Sequence, residues 1–232
     1  AVIEAINSKK DIDKVFIQTG LKGKLIGQLE SLIRKNKINF SYVPTQKLDR
    51  LSKKNHQGVI ARISPIKFYN INEFSEIIEK SKIPFILILD QISDVRNFGA
   101  IIRTAEISGV DGIIIQNSSS APINSDTVKT SAGAIFNIPI CKVSHIKDAI
   151  YHLQSMDISI ICASEKAEKN IYDINFKRPV AIIMGSEQKG INKSVLSLSN
   201  EMVKLPMFGK IESLNVSVAC GIFLYEVVRQ RI

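Results

Sequence analysis

The sequence has 232 residues, of which 45% are hydrophobic, and it carries a net charge of +9 at neutral pH. A chain of this length can bury a large core and form one or two domains. No apolar run approaches the roughly 20 residues that span a bilayer, and the first residues, AVIEAINSKK, lack the order of a signal peptide. We therefore expect a soluble protein of the cytoplasm.

The positive charge is confined to the first part of the chain. Residues 1–68 contain 14 Lys and Arg against 5 Asp and Glu, whereas residues 69–232 contain 17 of each kind. Such an excess is typical of a module that meets a polyanion, most often a nucleic acid, although a Lys-rich composition can also reflect a solvated surface. We expect the first part to bind nucleic acid and the second to have a different task.

The three cysteines, Cys141, Cys162 and Cys220, give no sign of a disulfide or a metal site. They are far apart in the sequence and show no CxxC spacing. Each lies within an apolar run, where a reduced cysteine packs as a small hydrophobic side chain. We expect no disulfide, no zinc and no other metal.

The first part of the chain has the pattern of a small α/β unit. KVFIQ at 14–18, NFSYV at 39–43 and GVIARI at 58–63 have the composition of short strands, and GKLIGQLESLIRKNK has the apolar spacing of an amphipathic helix. The stretch 64–82 begins with a Pro-marked turn and contains one short helical pattern. We place a first domain at 1–68, a linker at 69–82 and a second domain at 83–232.

Strands and helices alternate strictly in the second domain. The predicted strands are PFILILD, DGIIIQ, IPICKV, DISIICAS, RPVAIIMG and EMVKLP, and helices are predicted at about 98–109, near 126–132, at about 145–155 and at the end of the chain. Continuous Ile, Val and Leu runs are typical of a parallel sheet covered by helices on both faces. Ligands of such sheets bind beyond the carboxyl ends of the strands, so the loops that follow strands are the candidate site.

Two of these loops contain unusual polar residues. After FILILD, Asn97 resembles a helix N-cap, Gly99 allows a close backbone approach, and Arg103 lies in AIIRTAEI, where a lone arginine is often a surface side chain. After PVAIIM, the glycine-bounded loop GSEQKGI presents Glu187 and Lys189. Because the sequence has neither a P-loop nor a GxGxxG pattern, neither a nucleoside triphosphate nor a dinucleotide is indicated.

A third loop leads into the last helix. GKIESLNVSVACGIFLYEVV opens with polar residues, among them Glu212, Ser213 and Asn215, before it becomes almost wholly apolar. Apolar residues recur on two helical faces from Leu214 onward, which predicts a mostly buried helix. Ser213 alone could cap this helix and leave Asn215 inside the first turn, where a buried amide needs partners. The polar turn is therefore either a cap or part of a site.

Three segments, in this order, resemble a known family. RNFGAIIRTAE, IIMGSEQKG and LPMFGKIESLNVSVACGIFLYE are similar to the motifs of the SpoU/TrmH branch of the SPOUT RNA methyltransferases. KNHQGVIAR is similar to the substrate-binding domain of members that methylate a guanosine of large-subunit ribosomal RNA. The resemblance implies an α/β domain with a mostly parallel sheet and a deep trefoil knot, which is rare in proteins, preceded by a small α/β domain of the ribosomal protein L30e-like type.

The resemblance also implies ligands and a site. A knotted pocket would bind S-adenosylmethionine through Gly185, Leu205 and Leu214, with Met207 and Ser213 close by. The polar active-site positions of the family correspond here to Asn97, Arg103, Glu187 and Asn215.

The expected macromolecular partners are RNA and a second copy of the chain. We expect RNA to contact Lys53, Lys54 and His56 of the basic domain and Arg96 of the second, although a loop hydrogen bond would explain His56 equally well. The family brings catalytic groups from two subunits together, which implies a homodimer, and the apolar last helix offers its interface. The candidate interface residues are Val218, Ile222 and Tyr225.

The sequence departs from the family pattern in two places. Asp94 is followed by Val95 where family members usually have proline, which is expected to loosen that loop. Relatives also carry several residues before the position at which this chain begins, so the first strand of the domain is expected to be incomplete or the sequence to be trimmed.

The expected reaction is methyl transfer to a ribose 2′-hydroxyl, in which positioning dominates. Family accounts give Arg103 the role of general base. Because a guanidinium stays protonated and has no acceptor site, we expect Arg103 instead to orient the hydroxyl and the adjacent phosphate and to stabilise the developing oxyanion. Glu187 and Asn215 would orient the hydroxyl and the cofactor. His145 and His152 are expected to be surface histidines on one helical face.

We therefore expect a guanosine 2′-O-methyltransferase of large-subunit ribosomal RNA, since the additional basic domain favours the ribosomal substrate. One alternative is a transfer RNA 2′-O-methyltransferase of the same branch. Another is an RNA-binding protein that keeps the fold without the reaction.

Overall fold

The computed structural model describes residues 1–211 and 213–232, so the predicted role of Glu212 in the polar turn lies outside the described residues. The chain divides into two compact units, Ala1–Lys67 and Phe68–Ile232. None of the helices in the described ranges is long and apolar enough to cross a membrane.

The first unit is a three-stranded sheet with helices on both faces. Its helices are α1 (Val2–Asn7), α2 (Lys24–Lys35) and α3 (Thr45–Leu51), and its strands are β1 (Ile12–Gln18), β2 (Phe40–Val43) and β3 (Val59–Ile63). The central strand β1 pairs in parallel with β2 and antiparallel with β3. One core, around Val15, Ile17 and Ile33, lies between the sheet and α1 and α2, and a smaller one beneath α3 contains Phe16 and Leu48. The three predicted strands and the amphipathic helix are all present.

The second unit is a seven-stranded sheet between layers of helices. Its strands are β4 (Phe85–Asp90), β5 (Gly112–Gln116), β6 (Ile140–Val143), β7 (Ser159–Ala163), β8 (Lys169–Asn170), β9 (Val180–Gly185) and β10 (Glu201–Lys204). Its helices are α4 (Ile71–Ile78), α5 (Val95–Ile107), α6 (Ser125–Thr130), α7 (Ile146–Gln154), α8 (Lys193–Leu196) and α9 (Val216–Arg231), and short 3₁₀ turns occupy Ala134–Phe136 and Ile171–Asp173.

The strand order of this sheet is β6-β5-β4-β9-β7-β10-β8, and every neighbouring pair is parallel. Every residue of β4 is buried because helices cover both faces of the sheet. Residues of α4, α7 and α8 share one core with the strands. On the other face α9 contacts β9, and α5 packs against α9. The predicted α/β domain with a mostly parallel sheet is confirmed.

The structure differs from the expected linker at 69–82. Asn70 begins α4 with a capping box, in which its side chain accepts the backbone N–H of Glu73. Phe74 and Ile78 are fully buried in the core of the second unit. The Phe74 ring packs on Gly112, where an added Cβ atom would lie 2.3 Å from it. The short helical pattern therefore belongs to the second unit, because its two large apolar side chains complete that core.

The histidines of the second unit occupy different environments. His145 is exposed and precedes α7. The half-buried His152 lies in α7, and its Nε2 is 2.6 Å from the Ser75 hydroxyl of α4. The expectation of two surface histidines on one helical face is therefore wrong for His152, which joins two helices of the same layer.

The three cysteines are free and buried. Burial raises the pKa of each thiol to about 12. They therefore stay protonated at physiological pH and pack as apolar side chains.

Candidate active site

The candidate site begins where β9 ends. The following loop folds back on itself, so that Ser186 and Gly190 exchange backbone hydrogen bonds of 3.2 and 2.8 Å. Gly185 is pressed against this loop, since a Cβ atom at that position would lie 2.3 Å from the carbonyl carbon of Gly190. Gly190 itself has a left-handed φ of 64°. The two glycines at the ends of the loop are thus needed for its tight shape.

Three of the four predicted catalytic residues meet beside this loop. The Glu187 carboxylate oxygen Oε1 accepts the side-chain amides of Asn97 at 2.9 Å and of Asn215 at 2.7 Å. The Asn215 amide nitrogen also lies 3.1 Å from the side-chain oxygen of Asn97. Hydrogen bonds to an ionised acceptor are stronger than neutral ones. This asparagine–glutamate triangle therefore joins α5, the loop after β9 and the start of α9.

Asn215 is also the N-cap of α9. Its side-chain oxygen accepts the backbone N–H of Ser217 at 2.9 Å and the Ser217 hydroxyl at 2.6 Å. Of the two alternatives for the polar turn, the cap by Ser213 is not present, because α9 begins only at Val216 and Asn215 is its cap. One side chain therefore serves both as cap and as part of the candidate site.

Asn97 does not cap α5, which is a second correction. The helix begins at Val95, and its cap is Asp94, whose carboxylate accepts the backbone N–H of Asn97 at 2.8 Å. This leaves the Asn97 side chain available for Glu187. Gly99 allows the expected close approach, since a Cβ atom there would lie 2.0 Å from the Thr130 hydroxyl.

Arg103, the fourth predicted catalytic residue, makes no hydrogen bond with the triangle. It is exposed on α5, two turns after Arg96, which is exposed as well. Its side chain makes no hydrogen bond or ion pair with residues 1–211 or 213–232. The neighbouring Thr104 lies against α9, 3.7 Å from the position of a Cβ atom added to Gly221. The described chain thus leaves the guanidinium free, on a surface that borders α9.

A cavity of about 570 Å³ opens next to the triangle, and every residue predicted to bind the cofactor lies in its wall. These residues are Gly185, Leu205, Met207, Ser213 and Leu214. Glu187 and Asn215 also line the cavity, so the triangle lies at its edge. The arrangement brings a glycine backbone edge, apolar side chains and a hydrogen-bonded carboxylate into one space.

Sequence reasoning missed another wall of the cavity. Ser164, Glu165 and Lys166 follow β7 and line the same space. The strand was predicted, and the rule that ligands bind at carboxyl strand ends applies to it. The sequence pattern does not reveal that β7 lies next to β9, so the loop could not be assigned to the site.

Asp90 is a further residue that the sequence analysis left unassigned. It is the last residue of β4, pairs in register with Gly185, and is only 2% exposed. Its carboxylate accepts the backbone N–H of Asn192 at 2.8 Å. Asp90 therefore fixes the far end of the loop that carries Glu187. A charged residue at the end of the apolar run FILILD was the available signal.

The predicted RNA-binding residues of the first unit lie in and near the loop after α3. Lys53 and Lys54 are exposed. His56 is held by two hydrogen bonds of 3.0 Å, from its Nε2 to the Asp49 carboxylate and from the Gly58 backbone N–H to its Nδ1. Of the two alternatives for His56, the loop hydrogen bond is present in the structure.

Two family models match the chain. The SpoU rRNA Methylase family matches residues 84–225, and the family described as RNA 2′-O ribose methyltransferase substrate binding matches residues 1–69. The chain belongs to the SpoU rRNA methylase family. It therefore combines the methylase domain and the substrate-binding domain of a SpoU RNA methyltransferase.

Individual relatives resemble this SpoU family member over most of its length. YacO of Bacillus subtilis (strain 168), whose name assigns it to the TrmH family of tRNA/rRNA methyltransferases, is 34% identical over 233 residues, covering 100% of this chain and 93% of YacO. The 23S rRNA (guanosine-2′-O-)-methyltransferase RlmB of Vibrio vulnificus (strain CMCP6) is 38% identical over 184 residues, which are 79% of this chain and 74% of RlmB.

A solved structure shares the fold. The SpoU methyltransferase AviRb from Streptomyces viridochromogenes, crystallised in complex with the cofactor AdoMet, aligns with a TM-score of 0.65 and 21% sequence identity. The alignment covers 99% of this chain and 87% of the AviRb chain.

Proposed function

We propose that this SpoU family member transfers the methyl group of S-adenosylmethionine to a ribose 2′-hydroxyl of RNA, at a guanosine of large-subunit ribosomal RNA. The observation that carries the proposal is the meeting of Asn97, Glu187 and Asn215 at the edge of a cavity of about 570 Å³ beyond β9. The ribosomal and guanosine assignments are supported by the similarity to RlmB and by the basic first unit. A ribosomal RNA substrate implies a protein of the cytoplasm.

The cavity fits S-adenosylmethionine in size and in chemistry. Pockets for ligands of this size have volumes of roughly 300–1,000 Å³ and apolar walls with a few polar groups. Gly185, Leu205 and Leu214 would hold the cofactor, with Met207 and Ser213 beside them. Gly185 lines the cavity, and the neighbouring backbone of Gly190 leaves no room for a side chain at this position. When bound, S-adenosylmethionine supplies an electrophilic methyl group on a positively charged sulfur.

Within one chain the triangle has an orienting role. Two side-chain amides hold the Glu187 carboxylate, and the backbone N–H of Val216, at the start of α9, lies 3.4 Å from the same oxygen. The positive end of the helix dipole favours a carboxylate at this position. A carboxylate fixed in this way accepts the proton of a ribose hydroxyl as a hydrogen bond and so orients the attacking oxygen. Alignment of this kind contributes about 7–11 kcal/mol in favourable cases.

Arg103 supplies the positive charge in the proposed reaction. Its guanidinium stays protonated and has only donors, so it binds the phosphate next to the target ribose and stabilises negative charge on the attacking oxygen. Because Arg103 does not line the cavity beside the triangle of its own chain, we infer that a second copy of the chain brings its arginine to this site.

The proposed homodimer forms through α9. One face of this helix is buried within its own chain, with Cys220, Phe223 and Leu224 at most 3% exposed. The other face leaves Val218, Ile222 and Tyr225 between 36% and 52% exposed. The sequence predicted that both apolar faces of this helix are buried, but a single chain buries only one of them. An apolar helical stripe next to the surface of Arg103 is the expected interface with the second copy.

We also infer the trefoil knot that the family resemblance implies. The strand order places β9 between β4 and β7 and places β10 between β7 and β8. Two strands that come late in the chain therefore lie between strands that come earlier in the chain. The cavity is lined by the end of β9 and the loop after it, 184–190, and by parts of the chain that follow β10, among them Leu205 and Leu214. A threaded chain at this position would hold the cofactor loops rigidly.

Ribose-methylation mapping of total RNA, with and without the gene, tests the choice of substrate. We expect one guanosine 2′-O-methyl group to disappear from large-subunit ribosomal RNA. A methyl group that disappears from transfer RNA with ribosomal RNA unchanged would favour the transfer RNA alternative; the name of YacO includes both kinds of RNA. Calorimetry that shows RNA binding without S-adenosylmethionine binding would favour a non-catalytic RNA-binding protein.

A further inference from the structure

Three cations converge on one aromatic ring in the first unit. The Lys14 Nζ lies 5.5 Å, the Lys47 Nζ 5.8 Å and the Arg62 Cζ 5.9 Å from the centre of the Phe16 ring. The cations come from β1, α3 and β3, whereas Phe16 is only 7% exposed and packs beneath α3. The buried ring thus forms the floor of a positively charged group, which we call the Phe16 cluster: Lys14, Lys47 and Arg62.

An irregularity in β1 produces this arrangement. The register with β3 passes from Ile12 opposite Ile63 directly to Lys14 opposite Arg62, so Asp13 is an additional residue in the strand. Ile12 and Val15 both lie in the core beneath α1 and α2, although they are three positions apart and would face opposite sides of a regular strand. Bulges redirect side chains in this way and are frequent next to functional sites.

The cluster carries more positive than negative charge. Lys14 and Arg62 face each other directly across the two strands, and like charges in that position destabilise a sheet. The nearly buried Asp13 carboxylate binds Arg62, at 2.6 Å from Nε and 2.5 Å from Nη2. Burial, followed by the charges of Arg62 and Lys47, lowers the pKa of Lys14, and the opposing effect of Asp13 is smaller. Asp13 therefore binds Arg62 and only partly offsets the repulsion that Lys14 experiences.

We propose that the Phe16 cluster binds a backbone phosphate of the RNA, using residues other than Lys53 and Lys54. The two ammonium groups and the guanidinium come from three elements and lie 5.5 to 5.9 Å from one ring centre, so a phosphate beside that ring would have several donors within reach. Arg62 is held in a fixed orientation by Asp13. Lys47 also borders a shallow cavity with Arg50, which extends the positive surface along α3. An RNA phosphate would supply the negative charge that the cluster lacks. The assignment to RNA rests on the proposed function of the chain.

The test uses the full chain with Lys14→Gln and Lys47→Gln combined. RNA binding is measured by fluorescence anisotropy on a fragment of large-subunit ribosomal RNA at several salt concentrations. Removal of two phosphate-binding charges should weaken binding about tenfold or more near 0.1 M salt. The slope of the logarithm of the binding constant against the logarithm of the salt concentration should become shallower by about 1.4 to 1.8. The matched control combines Lys24→Gln with Lys35→Gln on α2, which removes the same charge from the opposite face of the sheet.

Thermal unfolding separates binding from a structural role. Because the substitutions relieve repulsion between like charges, the midpoint of the double variant should equal or exceed that of the wild type. A lower midpoint that accompanies the weaker binding would assign the cluster to folding and overturn the proposal. Equal weakening in the α2 control, or unchanged binding in the cluster variant, would also overturn it.

Two further measurements are needed. The first distinguishes an RNA phosphate from free phosphate, and the second tests the proposed methyl transfer separately from RNA binding. Inorganic phosphate that binds the wild type tightly without competing with RNA would overturn the assignment to RNA. Methyl transfer and S-adenosylmethionine binding are measured on the wild type in parallel. A wild type that binds RNA through the cluster yet transfers no methyl group would refute the proposed function and leave the RNA-binding site in place.

Discussion

Asn215 donates its side-chain amide to the Glu187 carboxylate at 2.7 Å while its own side-chain oxygen caps α9. These two hydrogen bonds use opposite ends of one amide group. The first orients a site residue, and the second satisfies a free backbone N–H group of the longest helix in the described ranges. The helix that forms a wall of the cavity is therefore fixed at its start by the group that positions the carboxylate.

The two tasks of Asn215 are separable by substitution. In Asn215→Ser the hydroxyl keeps the cap but the amide donor is absent, so we expect near-normal stability and methyl transfer reduced by about tenfold to 100-fold. In Asn215→Ala the cap is absent as well, which should cost about 1 kcal/mol of unfolding free energy. Thermal unfolding and single-turnover methyl transfer provide the two readouts. Full transfer by the serine variant would show that the amide is only a cap.

The loop after α3 should contribute to RNA binding through charge alone. We expect Lys53→Ala combined with Lys54→Ala to weaken binding similarly for different RNA sequences and to reduce the salt slope by about one unit for each phosphate that is no longer neutralised. S-adenosylmethionine affinity should not change. Lys9→Ala with Lys10→Ala is the matched control, since these adjacent lysines are also exposed in the first unit. If the control pair weakened RNA binding equally, the total charge of the first unit would matter and the position of Lys53 and Lys54 would not, which would contradict this prediction.

The exposed face of α9 should determine the oligomeric state. The chain mass is 25.8 kDa, and we expect light scattering to give twice this value at micromolar concentration. Tyr225→Glu should produce the monomer because it places a charge within the apolar stripe. Tyr151→Glu on α7 is the control, since Tyr151 is 58% exposed and Tyr225 51%. A wild-type monomer would contradict the proposed interface.

Acid should weaken the last turns of α9. Arg229 donates two hydrogen bonds of 2.8 Å to Glu226, and this partner holds the Glu226 pKa below its ordinary value of 4.5. The stabilisation is therefore complete above that value and is lost as the pH falls through the lower pKa of the folded state. Glu226→Gln should cost about 1 kcal/mol at neutral pH, and the difference should vanish in acid. Urea unfolding at several pH values measures the difference in unfolding free energy between the two proteins. A difference that does not depend on pH would show that the charge of Glu226 is not the source of the stabilisation.

The sequence predicted those parts of the fold that depend on local pattern. The uninterrupted apolar residues of β4 and β9 indicated a covered parallel sheet, and the glycines at 185 and 190 indicated a tight loop. The insertion of β9 between β4 and β7 depends on interactions between distant segments, so the wall formed by Ser164–Lys166 could not be foreseen. The α9 cap could not be assigned from the sequence because Ser213 and Asn215 have similar cap preferences, and only the helix start at Val216 distinguishes them.

The most direct test of the proposed reaction compares wild type and Arg103→Ala in methyl transfer. Purified protein is given S-adenosylmethionine with a labelled methyl group and large-subunit ribosomal RNA, and the labelled nucleotide is mapped. We predict a 2′-O-methylguanosine with the wild type and a rate lower by roughly 100-fold or more with Arg103→Ala, with cofactor affinity and most RNA affinity retained. No ribose methylation by the wild type, or near-normal turnover by the variant, would contradict the account and leave Arg103 as a surface side chain.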